Sequence, residues 1–203
     1  LKKAGEAQAA LEVLARAAAA PISGAGNQRP LAHYVTASIL EDLGHSDAAA
    51  LHREQARSAN RTWAFPVGLD ALDALQQSIT ADPGDAVAHS LLGMLLYAHG
   101  RRHEASTAWR QAIQLGLQDP VLLRNSALAA YNIDHDDQAA WSRYSQAITL
   151  APEDPRLRYE QDQLAIRLGH SAAERLERLA PVEELVLERD DFTIEYVRLL
   201  AAQ

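Results

Sequence analysis

Two stretches of this chain carry the same side chains at the same spacing. Ala105, Trp109 and Ala112 are matched 35 positions later by Ala140, Tyr144 and Ala147. A fixed period of that length marks a stack of helix–turn–helix units, because one such unit cannot bury its apolar face alone. The spacing has a steric cause. Two antiparallel helices approach closely only where small residues meet, and a bulky side chain must fill the space beside them. Gly93 and Ala105 stand at the expected close approach of the first pair, and Ala112 lets the second helix rest on the next unit. Trp109, four residues after Ala105 and three before Ala112, shares their face and supplies the bulk. Gly100 marks the turn between the two helices. Pro152 cannot continue a helix and ends the second copy.

A small residue, three spacers, an aromatic, two spacers and a small residue, then a proline, resembles the pattern of tetratricopeptide repeats. The second copy matches throughout, up to Pro152. The first has Leu117 where the proline belongs and Leu96 where tyrosine is usual. The resemblance implies an all-α fold, a right-handed superhelix of helical hairpins with about ten to twelve helices. The whole chain then reads as one array. Degenerate repeats cover 1–63, an irregular junction 64–85, the two good repeats 86–152, and further degenerate repeats 153–203.

Composition agrees with this class. About one residue in five is alanine, and no alternating β-branched run suggests a sheet. With 48% hydrophobic residues there is material for a continuous helical core. The net charge of −8 argues against a nucleic-acid partner, since phosphate binding needs a basic stripe. The absence of cysteine excludes disulfides and thiol chemistry. No apolar run approaches the roughly 20 residues needed to span a bilayer, so no membrane role is expected. The alanine-rich start with Glu6 and Glu12 is unlike a signal peptide, which favours the cytoplasm without fixing the compartment.

Taken in order, residues 1–20 read as helix ending at Pro21. Gly5, Ala10, Leu14 and Ala17 echo Gly100, Ala105, Trp109 and Ala112, so the chain is expected to open inside a repeat. Residues 23–28 read as a flexible connection closed by Pro30. They are no phosphate loop, because no strand precedes them and the third glycine is missing. Leu31–Leu43 and Ser46–Ala59 form a second hairpin around Gly44, with Ser46 as the expected N-cap. Asn60–Pro66 breaks the period and sets Trp63 and Phe65 in a loop, either as a buried plug or as a ligand contact. Gly68–Thr80 reads as a second helix without its usual first, using Ala71, Leu75 and Ser78. Beyond Pro152, Pro155–Gly169 is a first helix and Ser171–Leu179 a short partner capped by Ser171. A last helix opens near Asp190 and Asp191, whose carboxylates suit an N-terminus. It has no partner after it, which predicts a piece of a longer protein.

A narrower resemblance involves Asn60–Pro66, Leu91–Tyr97, Leu123–Leu128, Tyr159–Leu164 and Arg189–Asp191. These stretches are similar to landmarks in a family of large bacterial proteins, in which a β-rich, carbohydrate-recognition-like domain of unknown function precedes a tetratricopeptide array. The resemblance implies that any sugar-related activity belongs to the absent domain.

Candidate chemistry is sparse. His99 and His103 with Glu104 would suit a metal on one helix, but Gly100 falls between them at the turn. Asp134–Asp137 lacks a calcium-loop pattern, and Asp136 or Asp137 as an N-cap explains it. Neighbouring carboxylates such as Glu183–Glu184 point apart on a helix. No catalytic, cofactor or metal residues are therefore assigned, and the chain is not expected to be an enzyme. In a tetratricopeptide array the first helices line the concave face where partners dock. Carried over, that face holds Ser90, Met94 and Tyr97, then Asn125, Ala129 and Asn132, then Tyr159, Gln163 and Arg167. The expected role is a non-catalytic interaction scaffold for a protein, a peptide or its own upstream domain. The alternatives are a structural spacer or dimerisation unit, and an accessory region of a carbohydrate-active protein.

Overall fold

The computed structural model describes residues 6–23 and 26–201. The expected roles of Gly5, Gly24 and Ala25 lie outside the described residues. Among those described, the regular elements are helices, joined by turns and one isolated bridge between Ser23 and Gly26. The fold is the all-α assembly of helical hairpins that the repeat spacing predicts. It divides into two compact units, residues 1–117 and 118–203.

The first unit holds α1 (Ala7–Ala19), α2 (Arg29–Asp42), α3 (Ser46–Ser58), α4 (Leu69–Ala81), α5 (Ala86–Ala98) and α6 (Arg102–Gln114). Helices α2 and α3 pair as one hairpin and α5 and α6 as another, while α4 packs on both α2 and α5. Leu31, Tyr34, Leu75, Leu91 and Leu95 are buried at their junction, with Ala56, Ala71, Ala74 and Ala88 between them. Each large side chain taken from water there contributes about 1.5–3 kcal/mol. One buried carboxylate ties this core together. Asp85 accepts from the Tyr34 hydroxyl at 2.8 Å, the Ser78 hydroxyl at 3.1 Å and the Ala88 amide at 2.9 Å. Arg57 stands 3.5 Å away on α3, so α2, α3, α4 and α5 all meet at this N-cap. Burial, then the charge of Asp85, pushes the Tyr34 phenol far above its ordinary value. Tyr34 is therefore a permanent donor.

Two expectations are corrected here. Ser46 does not cap α3: it is already the first helical residue, and its hydroxyl donates to Glu41 at 2.7 Å. Nor is the connection before α2 loose at Asn27, which is buried. Its Nδ2 donates to the carbonyls of Asn60 at 2.6 Å and Thr62 at 3.1 Å, and its amide to that of Trp63 at 3.0 Å. Its Oδ1 accepts from the Arg29 amide at the start of α2. Pro30 lies inside α2, in the first turn where a missing amide costs nothing.

The second unit holds α7 (Pro120–Ala129), a π-helical turn over Ala130–Asp134, α8 (Asp137–Leu150), α9 (Pro155–Arg167) and α10 (Ala172–Leu179). A 3-10 turn (Ala180–Val182), α11 (Glu183–Val186) and α12 (Asp190–Ala201) follow. Side-chain caps set its helix starts. Asp119, Asp136 and Asp154 accept first-turn amides, and Ser171 with Glu174 forms a capping box. Glu174 supplies the reciprocal half of that box. Ala127, Ala130, Ala140, Tyr144 and Leu164 form one core. Leu176, Leu179, Val186, Phe192, Tyr196 and Leu199 form another, joined by Tyr159. An ion cluster braces the latter: Arg175 binds Asp162 through two bonds of 2.9 and 2.6 Å and Glu195 at 2.9 Å.

Candidate functional site

The predicted first-helix face is best judged one helix at a time. On α5, Gly93 lies flush against the Trp109 indole, and a Cβ there would collide with the ring. That close approach turns the neighbouring stripe inward. Ser90, one turn earlier, is only 6% exposed, and its carbonyl accepts the Trp109 indole N–H at 3.2 Å. Its expected place on an open partner surface is corrected accordingly. Met94 is half-buried against the core. Tyr97 is 40% exposed, its ring 5.5 Å from that of Trp109 and the Arg102 guanidinium 6.0 Å above it. Of the three α5 residues, Tyr97 is the most exposed.

In the second unit, two side-chain contacts link α9 to α7 and to the π-helical turn that follows it. Arg124 of α7 grips the Glu160 carboxylate with bonds of 2.7 and 2.6 Å. At the far end the Arg167 guanidinium sits 5.6 Å over the Tyr131 ring. Glu160 also accepts from Arg156 at 2.9 Å and from the Tyr144 hydroxyl at 3.2 Å. Burial alone would push its carboxyl up, but the bonds and charges of Arg124 and Arg156 outweigh that and hold it below the usual range. Burial, with the Glu160 charge, pushes the Tyr144 phenol up.

The predicted residues lie on and beside these anchors. Asn125 is half-buried, and its Oδ1 accepts from Arg124 at 3.0 Å. Asn132 is exposed and donates to the Leu128 carbonyl at 2.8 Å. Gln163 is half-buried and Arg167 exposed. Ala129 is fully buried and contributes only packing. Tyr159 is partly covered from within the chain. Phe192 of α12 meets its ring edge-on at 5.5 Å, and the Arg189 guanidinium lies 5.0 Å from its centre. Arg124 and Glu160 were missed from sequence. Their 36-residue separation, close to one repeat, was the available signal.

The other polar sites are local. Gly100 adopts a left-handed φ of +77° between α5 and α6, so His99 and His103 do not share a helix. In the first unit His33 and His52 face each other with their Nδ1 atoms 3.1 Å apart, beside a cleft walled by Leu11, Leu14 and Leu40. Burial pushes both imidazoles below the ordinary histidine value. Among the described residues no three His, Cys, Asp or Glu side chains are grouped to hold a metal, and no helix is long and apolar enough to cross a membrane.

No family model matches the chain. Among solved structures it is similar to a thermophilic TPR protein from Thermus thermophilus. That likeness has 15% identity and a TM-score of 0.48, and covers 96% of this chain and 99% of that one. It is also similar to the C-terminal part of a TPR repeat-containing protein from Cytophaga hutchinsonii, at 17% identity and a TM-score of 0.45, covering 93% and 81% respectively.

Proposed function

We propose that this chain is a non-catalytic interaction scaffold and that the α7–α9 face of the second unit receives a protein or peptide segment. The observation that carries this reading is the paired face itself. The Arg124–Glu160 ion pair holds two helices in register, and amide and guanidinium groups of Asn125, Asn132, Gln163 and Arg167 stand on it without a buried role. Such groups match the alternating donors and acceptors of an extended backbone, and fixing them in advance lowers the ordering cost of binding. In the first unit, the exposed Tyr97 of α5 is proposed as a separate partner contact. The coverage of Tyr159 by Phe192 favours a second reading, in which part of the face is occupied intramolecularly and the chain acts as a spacer.

The test is an array of immobilised decapeptides probed with the wild-type chain and with Asn125→Ala/Asn132→Ala. The scaffold reading expects peptides whose affinity falls about tenfold in the double variant, equivalent to about 1.4 kcal/mol, with helicity unchanged. Peptides bound equally by both proteins would remove these residues from the site. An array that retains neither protein would favour the spacer.

A further inference from the structure

The cleft between α1 and the α2–α3 hairpin is apolar but for one cluster. Helix α1 lines it with leucine and alanine alone, and the polar groups of its wall are His33 and Thr36 of α2 and His52 of α3. The two imidazoles, both half-buried, meet head-on. Their Nδ1 atoms are 3.1 Å apart and their centroids 5.4 Å, close to the widest separation that such a contact allows, so each nitrogen points at the other.

That geometry limits how many protons the pair can hold. A bond between two ring nitrogens needs one donor and one acceptor. With both rings neutral, the one protonated at Nδ1 donates to the bare Nδ1 of the other. A first added proton goes to the outer Nε2 of the donor ring, and the shared bond survives with a single positive charge. A second has only the accepting Nδ1 to go to. It would set two N–H groups against each other and two like charges side by side in a half-buried place, so the contact cannot outlast it.

The surroundings do not offset the second charge. Arg29, one turn before His33, adds a positive charge of its own, and its guanidinium donates to the Ala18 and Ala20 carbonyls at 2.7 and 3.3 Å. Arg53, next to His52 on α3, is paired with Glu41 of α2 at 3.1 Å. Among the described residues no carboxylate acts on either ring, neither Glu12 of α1, Glu41 of α2 and Glu54 of α3 nor Asp70 and Asp73 of α4, and Arg16 of α1 and His89 of α5 do not act on them either. Burial pushes both imidazoles below the ordinary value of 6.5, and the charges of His52 and Arg29 push His33 further.

Helix α1 is the element most easily released, since Ala10 alone of its residues is buried and Arg29 ties down its last turn. We propose that His33 and His52 form a proton-operated latch, closed while the pair is neutral or singly charged and parted by the second proton, which frees α1 to swing away from the α2–α3 hairpin about its Arg29-bound end. The release is an acid response. Protons that the closed state excludes leave it fully favoured above the ordinary histidine value and disfavour it as pH falls further, by up to about tenfold per pH unit for one excluded proton.

Hydrogen exchange of the α1 amides at about pH 7.5 and about pH 5, corrected for intrinsic rates and referenced to α5, tests this. The opening constant of α1 should rise at least about tenfold at the lower pH while α5 keeps its protection. In His52→Gln, whose amide can keep one hydrogen bond and takes up no proton, the rise should be lost. Protection of α1 that is absent or indifferent to pH, a rise shared equally by α5, or a rise that persists in His52→Gln overturns the proposal. Side-chain NMR titration of the unaltered chain gives a reading that needs no variant. Two of the eight histidines should titrate as a coupled pair whose last proton binds well below the ordinary value. Eight independent titrations near that value would overturn the latch.

Discussion

The α5–α6 and α7–α8 hairpins are built on one 35-residue pattern, yet they fill the space beside the small residues in opposite ways. In the first, Gly93 leaves room for the whole Trp109 indole. In the second, the residue 35 positions later is Leu128, and the aromatic is the smaller Tyr144. Leu128 packs on the same cluster as Tyr144. Bulk that the first hairpin concentrates on one helix is divided between both helices in the second. The polar atoms also differ. Trp109 satisfies its N–H inside its own hairpin, on Ser90, whereas Tyr144 reaches Glu160 on the following helix. The turns diverge as well: Gly100 and His135 are equivalent and both left-handed, at +77° and +54°. The histidine copy has a π-helical turn before it and an Asp136 cap after it, while Arg101 makes no side-chain cap. What repeats is the hairpin and its left-handed turn, not the residues that fill it.

The largest effects should come from breaking the volume balance. Trp109→Ala should cost about 3–5 kcal/mol in denaturant titration, as a deleted buried aromatic does. Gly93→Leu should cost about 1–3 kcal/mol through overpacking. Adding Trp109→Tyr to Gly93→Leu, the solution used by the second hairpin, should recover at least about 1 kcal/mol of that loss. Strict additivity of the two changes would mean that the two hairpins are not interchangeable packings.

The next effect isolates the charged link of the second hairpin. Glu160→Gln should destabilise by about 2 kcal/mol, since it leaves Arg124 half-compensated. It should also change the acid response. A carboxyl held below its ordinary value contributes stability that is complete above about 4.5, the unperturbed glutamate value, and is lost as pH falls through the folded value. Wild-type stability should therefore fall with acid through that window, and the glutamine variant should show a shallower fall. Equal slopes would mean that Glu160 gains nothing from its arginines. The smallest effect concerns the turns. His135→Gly should stabilise by about 0.5–1 kcal/mol by relieving a left-handed non-glycine residue. A loss instead would show that the π-helical turn depends on the histidine.

The hairpins were legible because local rules set them. Gly100 and Gly44 mark turns, Asp136 and Ser171 mark starts, and Ala105, Trp109 and Ala112 mark one buried face. The short α11 and the π-helical turn were not legible, because neither has a local signal that survives competition with packing. The binding face was read less well. Ser90 looks solvent-facing by periodicity, but its carbonyl is claimed by Trp109 on another helix. Tyr159 looks open until α12 folds back and places Phe192 beside it. Arg124 and Glu160 read as solvated charges until tertiary contact pairs them. Trp63 was expected as either plug or contact; its ring is 59% exposed, on a loop whose backbone is held by Asn27, a residue that reads as part of a linker when taken alone.

That asparagine also decides which parts of the first unit come apart together. Its side-chain bonds span 33 and 35 residues and close a ring around the α2–α3 hairpin. For the Asn27 amide to exchange with deuterium, the Asn60–Trp63 backbone and the start of α2 must separate in the same event. Two segments distant in sequence thus share one opening free energy, while the Gly44 turn within the ring frays on its own. Hydrogen exchange should accordingly group Asn27 with Ala64, not with the residues beside it in the chain.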